Sequence, residues 1–396
     1  MTALVTPTRA HARPKLIVLS HLRWDFVTQR PQHLLTRAAK SFDVVFIEEP
    51  LWDEGLAPRA EDGIRPGGIR LIQPVLPHGT GPQAAAAFQR KLLDAVVNDA
   101  SGSEIVLWYY TPMALSFSRH VAADVVIFDK MDELSAFANA PPLLVALEAE
   151  LLARADVVFT GGASMHEAAV GRHDNLHCFP SSIDAAHFAK ARTNVLADPA
   201  DQAPVGRPRI GFFGVIDERM DIELVGAVAA LRPDWNLVMI GPTAKIDPAS
   251  LPRAANIFWL GSKRYDELPA YLQGWNIAWM PFAINAATRF ISPTKTPEFL
   301  AAGLPVVSTP IRDVIRPYGA AGVVEIAATA AATVAAIEAL MARPRKDWLA
   351  QVDAILAQGS WDRTWAAMRA EIWNLLTPDR LSTPANAAIK REELRV

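Results

Sequence analysis

The sequence predicts an α/β protein of two doubly wound domains facing a cleft, and three observations carry that prediction. Short apolar runs alternate with helical segments through most of the 396 residues, the pattern of a parallel sheet covered by helices. The alternation occurs twice, separated once by a stretch rich in Asp, Ala and Pro at 190–208. Most runs end in polar or glycine-containing loops, the edge at which open parallel sheets place ligands. The expected domains are 1–195 and 205–360. A C-terminal helix from 361 then packs back, followed by a polar tail to 396.

Composition bounds the function. Hydrophobic residues make up 51% and charged residues 20% of the chain, enough for large cores. A net charge of −3 gives no nucleic-acid footprint. The single cysteine, Cys178, excludes a disulfide framework and a thiolate zinc site, and points to a reducing compartment. Residues 1–14 hold no apolar core of a signal peptide, and no apolar run is long enough to span a bilayer. Trp24, Trp52 and Trp108 are candidates for a sugar site or a membrane surface, although core packing accounts for any one of them more simply.

In the first half, strands are expected at 16–19, 44–47, 69–75, 105–108, 125–128, 156–160 and 176–179, with 51–69 as loop. Helices are expected at 31–40, 83–98 and 142–155. The loop 20–30 follows the first strand, so Arg23, Trp24, Asp25, Arg30 and Gln32 are site candidates; solvated surface charges explain the same residues. The strand at 125–128 runs into Asp129, Asp132 and Glu133. Carboxylates crowded at a strand end suit a general base, because crowding raises one pKa toward a useful range; capping and solvation are the competing account.

In the second half, strands are expected at 209–214, 237–240, 257–260, 277–280, 304–307 and 322–326, and helices from 222, at 266–275, 328–342 and 361–376. Gly214 ends the first of these strands and lets a ligand approach the backbone closely. Arg219 follows in the same loop, within reach of a diphosphate or paired with Asp217 or Glu223.

The richest stretch is 290–309, F-I-S-P-T-K-T-P-E-F-L-A-A-G-L-P-V-V-S-T. Ser292, Thr294, Lys295 and Thr296 form a polar loop with one cation. Thr296 suits an N-cap, Pro297 a first helical position and Glu298 a first turn. Lys295 and a helix N-terminus favour an anion, whereas Glu298 is better matched to a donor such as a ribose diol. Phosphate plus diol spells a nucleotide. An ordinary capped helix fits the local signals as well.

This stretch resembles the nucleotide-sugar site of the GT-B glycosyltransferases, S-P-x-K-x-x-E-[YF]-x-A-x-G-x-P-V-V. The glycine loop at 214, L-G-S-K-R-Y at 260–265 and M-P-F at 280–282 follow the order of their C-terminal domain. The N-terminal S-H-L-R-W-D-F-x-x-Q-R-P-Q-H-L is similar to bacterial cell-surface polysaccharide glycosyltransferases, the teichuronic acid type among them. F-D-K-M-D-E-L, with Asp129 and Asp132, is similar too. The resemblance implies a hexosyltransferase-type enzyme in which Glu298 holds the donor ribose, and Gly214, Arg219, Ser292, Thr294, Lys295 and Thr296 surround the diphosphate. It also implies a saccharide or lipid-linked acceptor near Arg23, Trp24, Asp25 and Arg30, and Asp129 or Asp132 as base. No cofactor or metal is expected. The expected location is cytoplasmic, with peripheral contact at the inner face of the plasma membrane. Two departures stand out: Pro180-Ser181-Ser182-Ile183-Asp184 replaces a P-N-G-V-D element, and the histidine of a His-Asp pair is missing near Asp129. A nucleotide-sugar epimerase and a non-catalytic nucleotide-sugar-binding subunit are the alternatives.

Overall fold

The computed structural model describes residues 13–100 and 102–377. The expectations for the extreme N-terminus and for the tail beyond 378 fall outside them. The first sheet contains β1 (Lys15–Ser20), β2 (Asp43–Glu48), β3 (Leu51–Asp53), β4 (Arg59–Arg65), β5 (Ile69–Pro77), β6 (Ile105–Tyr109), β7 (Val125–Lys130), β8 (Val157–Thr160) and β9 (Leu176–Cys178). Its order is β3-β5-β2-β1-β6-β7-β8-β9, with β4 antiparallel to β5 at the edge. The second sheet contains β10 (Arg209–Phe213), β11 (Asn236–Ile240), β12 (Ile257–Gly261), β13 (Ile277–Met280), β14 (Val306–Ser308) and β15 (Val324–Ile326). Its order is β12-β11-β10-β13-β14-β15, and all its pairs are parallel. Two doubly wound α/β layers thus face each other, and their apolar strands are buried on both faces, as continuous rather than alternating runs require.

Residues 51–69 correct the expectation of a loop: they form β3 and β4. Strand β4, Arg-Ala-Glu-Asp-Gly-Ile-Arg, is largely exposed and has no apolar periodicity. Its pairing with β5 comes from the backbone and from a tight turn, in which Pro66 precedes Gly67 at φ 86° and Gly68 donates to the Arg65 carbonyl. Positive φ at that position is the demand that glycine meets.

The stretch 190–208 is not an open spacer. Gln202 and Val205 are buried. The Trp275 indole donates to Gln202 Oε1 at 2.7 Å. The Arg209 guanidinium is closed by Asp198 at 2.7 Å and by the carbonyls of Val205 and Gln202.

Helix Trp361–Leu376 returns to the first domain. Trp361, Trp365, Met368 and Ile372 pack in one core with Leu16, Val18, Trp108 and Val157. Trp361 also stacks on His33 at 4.7 Å. A helix that the sequence did not announce, Lys346–Leu356, buries Trp348, Val352 and Leu356 against the second domain. Trp24 and Trp108 are core residues, while Trp52 is exposed. Among the described residues no helix is long and apolar enough to cross a membrane.

Candidate functional site

The two sheets direct the C-terminal ends of β1, β7, β10, β11 and β12 at a common cleft. From the first domain it is lined by Val27, Thr28, Gln29, Arg30, Met131 and Asp132; from the second by Gly214, Arg219, Gly241, Tyr265, Ser292–Lys295 and Glu298. Gly241, at φ 144°, is packed so closely that a Cβ would sit 1.7 Å from the Gly214 carbonyl oxygen. The two strand ends therefore form one continuous backbone wall.

Helix Lys295–Ala301 carries the main polar group. It starts at Lys295, with Thr294 as N-cap and no side-chain cap, so Thr296 does not cap it as expected. Thr296 lies wholly buried, bonds Met280 Sδ at 3.5 Å and is absent from the cleft wall. Glu298 is 5% exposed, and its Oε2 has no hydrogen-bond partner. Lys295 Nζ approaches that oxygen only to 3.7 Å, because it donates to Thr294 Oγ1 at 2.9 Å and lies 5.3 Å over the Phe213 ring. Burial outweighs the lysine and pushes the Glu298 carboxyl up to about 7.

Arg219 takes the paired one of its two sequence readings. Its guanidinium forks onto Asp217, at 2.9 Å through Nε and 2.7 Å through Nη2, and it still lines the cleft. It also lies 5.7 Å from the Phe137 ring of the opposite domain. Opposite stands Asp132, half-buried in the cleft wall. Burial is the main cause that raises its pKa; Asp217 adds to this, and Arg219 and Lys245 oppose it.

Asp129 requires a correction. It lies inside β7 rather than beyond it, is wholly buried, and is outside the cleft wall. Its Oδ2 accepts from Arg30 Nε at 2.9 Å, while Arg30 Nη1 donates to the Phe179 carbonyl at 2.7 Å. The buried Tyr110 hydroxyl and Asp129 Oδ1 have no partner of standard geometry. Burial raises the Asp129 carboxyl against the pull of Arg30. Asp129 thus anchors Arg30, and Arg30 presents its edge to the cleft.

Arg23, Trp24 and Asp25 also depart from expectation, since none of them lines the cleft. Arg23 is tied to Glu48 at 3.1 Å and to the carbonyls of Glu49 and Pro50. Trp24 packs on Phe46 with ring centres 5.2 Å apart, and Asp25 pairs with Arg65 of β4 at 2.7 Å. Gln32 binds the carbonyls of Trp24 and Val27 at 2.7 and 3.1 Å. These residues fix the loop, so that Val27, Thr28 and Gln29 reach the cleft instead. Sequence reasoning gave no role to Gly241 or Tyr265; both follow strand ends, and Tyr265 closes the L-G-S-K-R-Y stretch at 260–265.

The architecture defines the class. Over 93% of this chain and 100% of the other, the fold is similar to sucrose-phosphate synthase from Thermosynechococcus elongatus, with a TM-score of 0.71 and 15% identity. It is similar to a UDP-forming trehalose-phosphate synthase from Burkholderia xenovorans at TM-score 0.65 and 12% identity, over 92% of this chain and 100% of that one. An E. coli trehalose-6-phosphate structure bound with UDP-2-fluoro glucose gives TM-score 0.65 and 12% identity, over 90% and 98%. This is the GT-B fold. Residues 207–343, in the second domain, match the family model described as glycosyl transferases group 1. The chain is 28% identical over 229 residues to the putative teichuronic acid biosynthesis glycosyltransferase TuaH of Bacillus subtilis (strain 168), which covers 53% of this chain. The match spans 56% of that relative's length.

Proposed function

We propose that this chain is a glycosyltransferase that moves a sugar from a nucleotide-sugar donor to a saccharide or lipid-linked acceptor in cell-surface polysaccharide biosynthesis, working in the cytoplasm or at the inner membrane face. The observation that carries it is Glu298: a buried carboxylate with an unpartnered oxygen, in the wall of a cleft between two GT-B domains, beside Lys295. A carboxylate in that state seeks hydroxyl donors, and a ribose diol supplies them. The group 1 domain and the similarity to TuaH support the same reading.

In the reaction, an acceptor hydroxyl forms a bond to the sugar's anomeric carbon as the bond from that carbon to the diphosphate oxygen breaks. The hydroxyl proton passes to a carboxylate, the role we assign to Asp132, and the diphosphate leaves with added charge. Lys295 and Arg219 stabilise that charge in the transition state. Gly214 and Gly241 let the donor lie against backbone.

Thermal stabilisation by a panel of nucleoside diphosphates, with and without magnesium, tests the proposal. A ligand at 100 times its Kd adds about 2.7 kcal/mol. Stabilisation by one diphosphate, lost in Glu298→Ala, is the expected result; no stabilisation by any nucleotide overturns it.

A further inference from the structure

Tyr265 follows β12 and lines the same cleft wall as Glu298. Its ring is held on three sides: stacked on His187 at 4.3 Å and 11°, edge-on to Phe188 at 5.5 Å, and edge-on to His33 of the opposite domain at 5.4 Å. His187 is fixed in turn, its Nε2 lying 2.9 Å from the Tyr265 carbonyl oxygen. Such packing leaves the hydroxyl little freedom, and a pre-placed polar group loses little entropy on binding.

The Tyr265 hydroxyl is buried without a hydrogen-bond partner, and so is Glu298 Oε2. The two therefore do not bond each other. One is a phenol that donates and the other a carboxylate oxygen that accepts. A group that satisfies both must accept from the phenol and donate to the carboxylate. A sugar hydroxyl does both, and a vicinal diol does so with a second hydroxyl to spare. A phosphate fails, since it accepts from the phenol but repels the carboxylate.

We infer that Tyr265 is a donor-binding residue, whose hydroxyl clamps the ribose diol together with Glu298. The inference rests on the nucleotide-sugar reading of the cleft and adds a second contact to it. Because the same ring leans on His33, the clamp also ties the donor to the face of the acceptor domain.

The test is titration calorimetry of wild type, Tyr265→Phe and Glu298→Gln with UDP, GDP, ADP and their 2′-deoxy and 3′-deoxy counterparts. Tyr265→Phe keeps every ring contact, and an unchanged melting temperature checks the fold. Losing one buried hydrogen bond should weaken the preferred ribonucleotide about 5- to 20-fold. The same substitution should change the binding of one deoxy counterpart less than about twofold, because the partner hydroxyl is already gone. Equal losses for ribo- and both deoxynucleotides, or no loss in Tyr265→Phe while Glu298→Gln loses binding, overturns the clamp alone. No binding by wild type overturns the nucleotide-sugar reading with it.

Discussion

Glu298→Gln isolates the cost of holding a buried carboxylate ready for a ligand. Burial moves its pKa from the ordinary 4.5 to about 7, so the folded chain holds the proton more tightly than the unfolded chain. The sign follows by linkage: stability falls as pH rises from 4.5 to 7 and is level above that. The displacement corresponds to at most about 3 kcal/mol, reached near pH 8. Glutamine keeps the shape without the charge. The variant should match wild type near pH 4.5 and exceed it at pH 8 by up to that amount, worth roughly 2–4 °C per kcal/mol. Lys295 does not become an orphan, since its bond to Thr294 remains.

Function should move the opposite way. A diol donates to the ionised form, so donor affinity in wild type should strengthen about tenfold per pH unit up to 7 and then plateau. In Glu298→Gln it should be weak and flat. Scanning calorimetry and ligand titration between pH 5 and 8 read both curves. Loss of stability in the variant at pH 8, or donor affinity in wild type that ignores pH, would refute the buried-anion account.

Asp129→Asn should destabilise by about 3–5 kcal/mol, because it leaves the Arg30 guanidinium buried beside a neutral group; chemical denaturation measures this. Asp132→Asn should keep donor affinity, hold or raise the melting temperature because burial disfavours the charge that it removes, and lose kcat about 100-fold or more, as steady-state kinetics will show. Gly241→Ala should cost about 3 kcal/mol or more, since its Cβ meets the Gly214 carbonyl at 1.7 Å; poor soluble yield and a lowered melting temperature are the readouts. Trp365→Ala should cost about 3–5 kcal/mol by opening the core under Trp108 and Phe42, again read by denaturation.

What the sequence disclosed depends on where the energy lies. Strands such as β1, β10 and β13 are apolar runs buried on both faces, so hydrophobicity alone marks them. Strand β4 is held by backbone bonds and a turn, and its exposed polar side chains carry no trace of the pairing. Asp129 and Asp132 look alike at a strand end. One extra pair of residues in β7, Asp129 and Lys130, puts Asp129 inside the sheet, where only Arg30, far away in sequence, makes it tolerable. Glu298 and Lys295 were legible because a short motif joins a cation, a proline and an acid. Tyr265 was not, because its meaning comes from an unpartnered hydroxyl that only packing creates.

The route of the chain bears on how the cleft works. It leaves the first domain near Ser181–Asp184 and returns near Trp361, and the two crossings touch, with the Trp361 amide donating to the Ile183 carbonyl at 3.4 Å. The first core is complete only once helix Trp361–Leu376 has come back onto it. Between the domains, exposed contacts such as the Ala138 amide on Glu218 at 3.0 Å and Arg312 on Glu167 at 2.7 Å stand beside a buried one, the Ser164 amide donating to Asp313 Oδ1 at 3.0 Å. Exposed pairs of this kind contribute up to about 1 kcal/mol each. The buried Ser164–Asp313 bond is worth more, because breaking it leaves a carboxylate without its donors. Asp132 and Arg30 stand across the cleft from the wall that holds Glu298, Lys295 and Tyr265. The walls of the cleft are thus built on two cores that the route of the chain itself ties together.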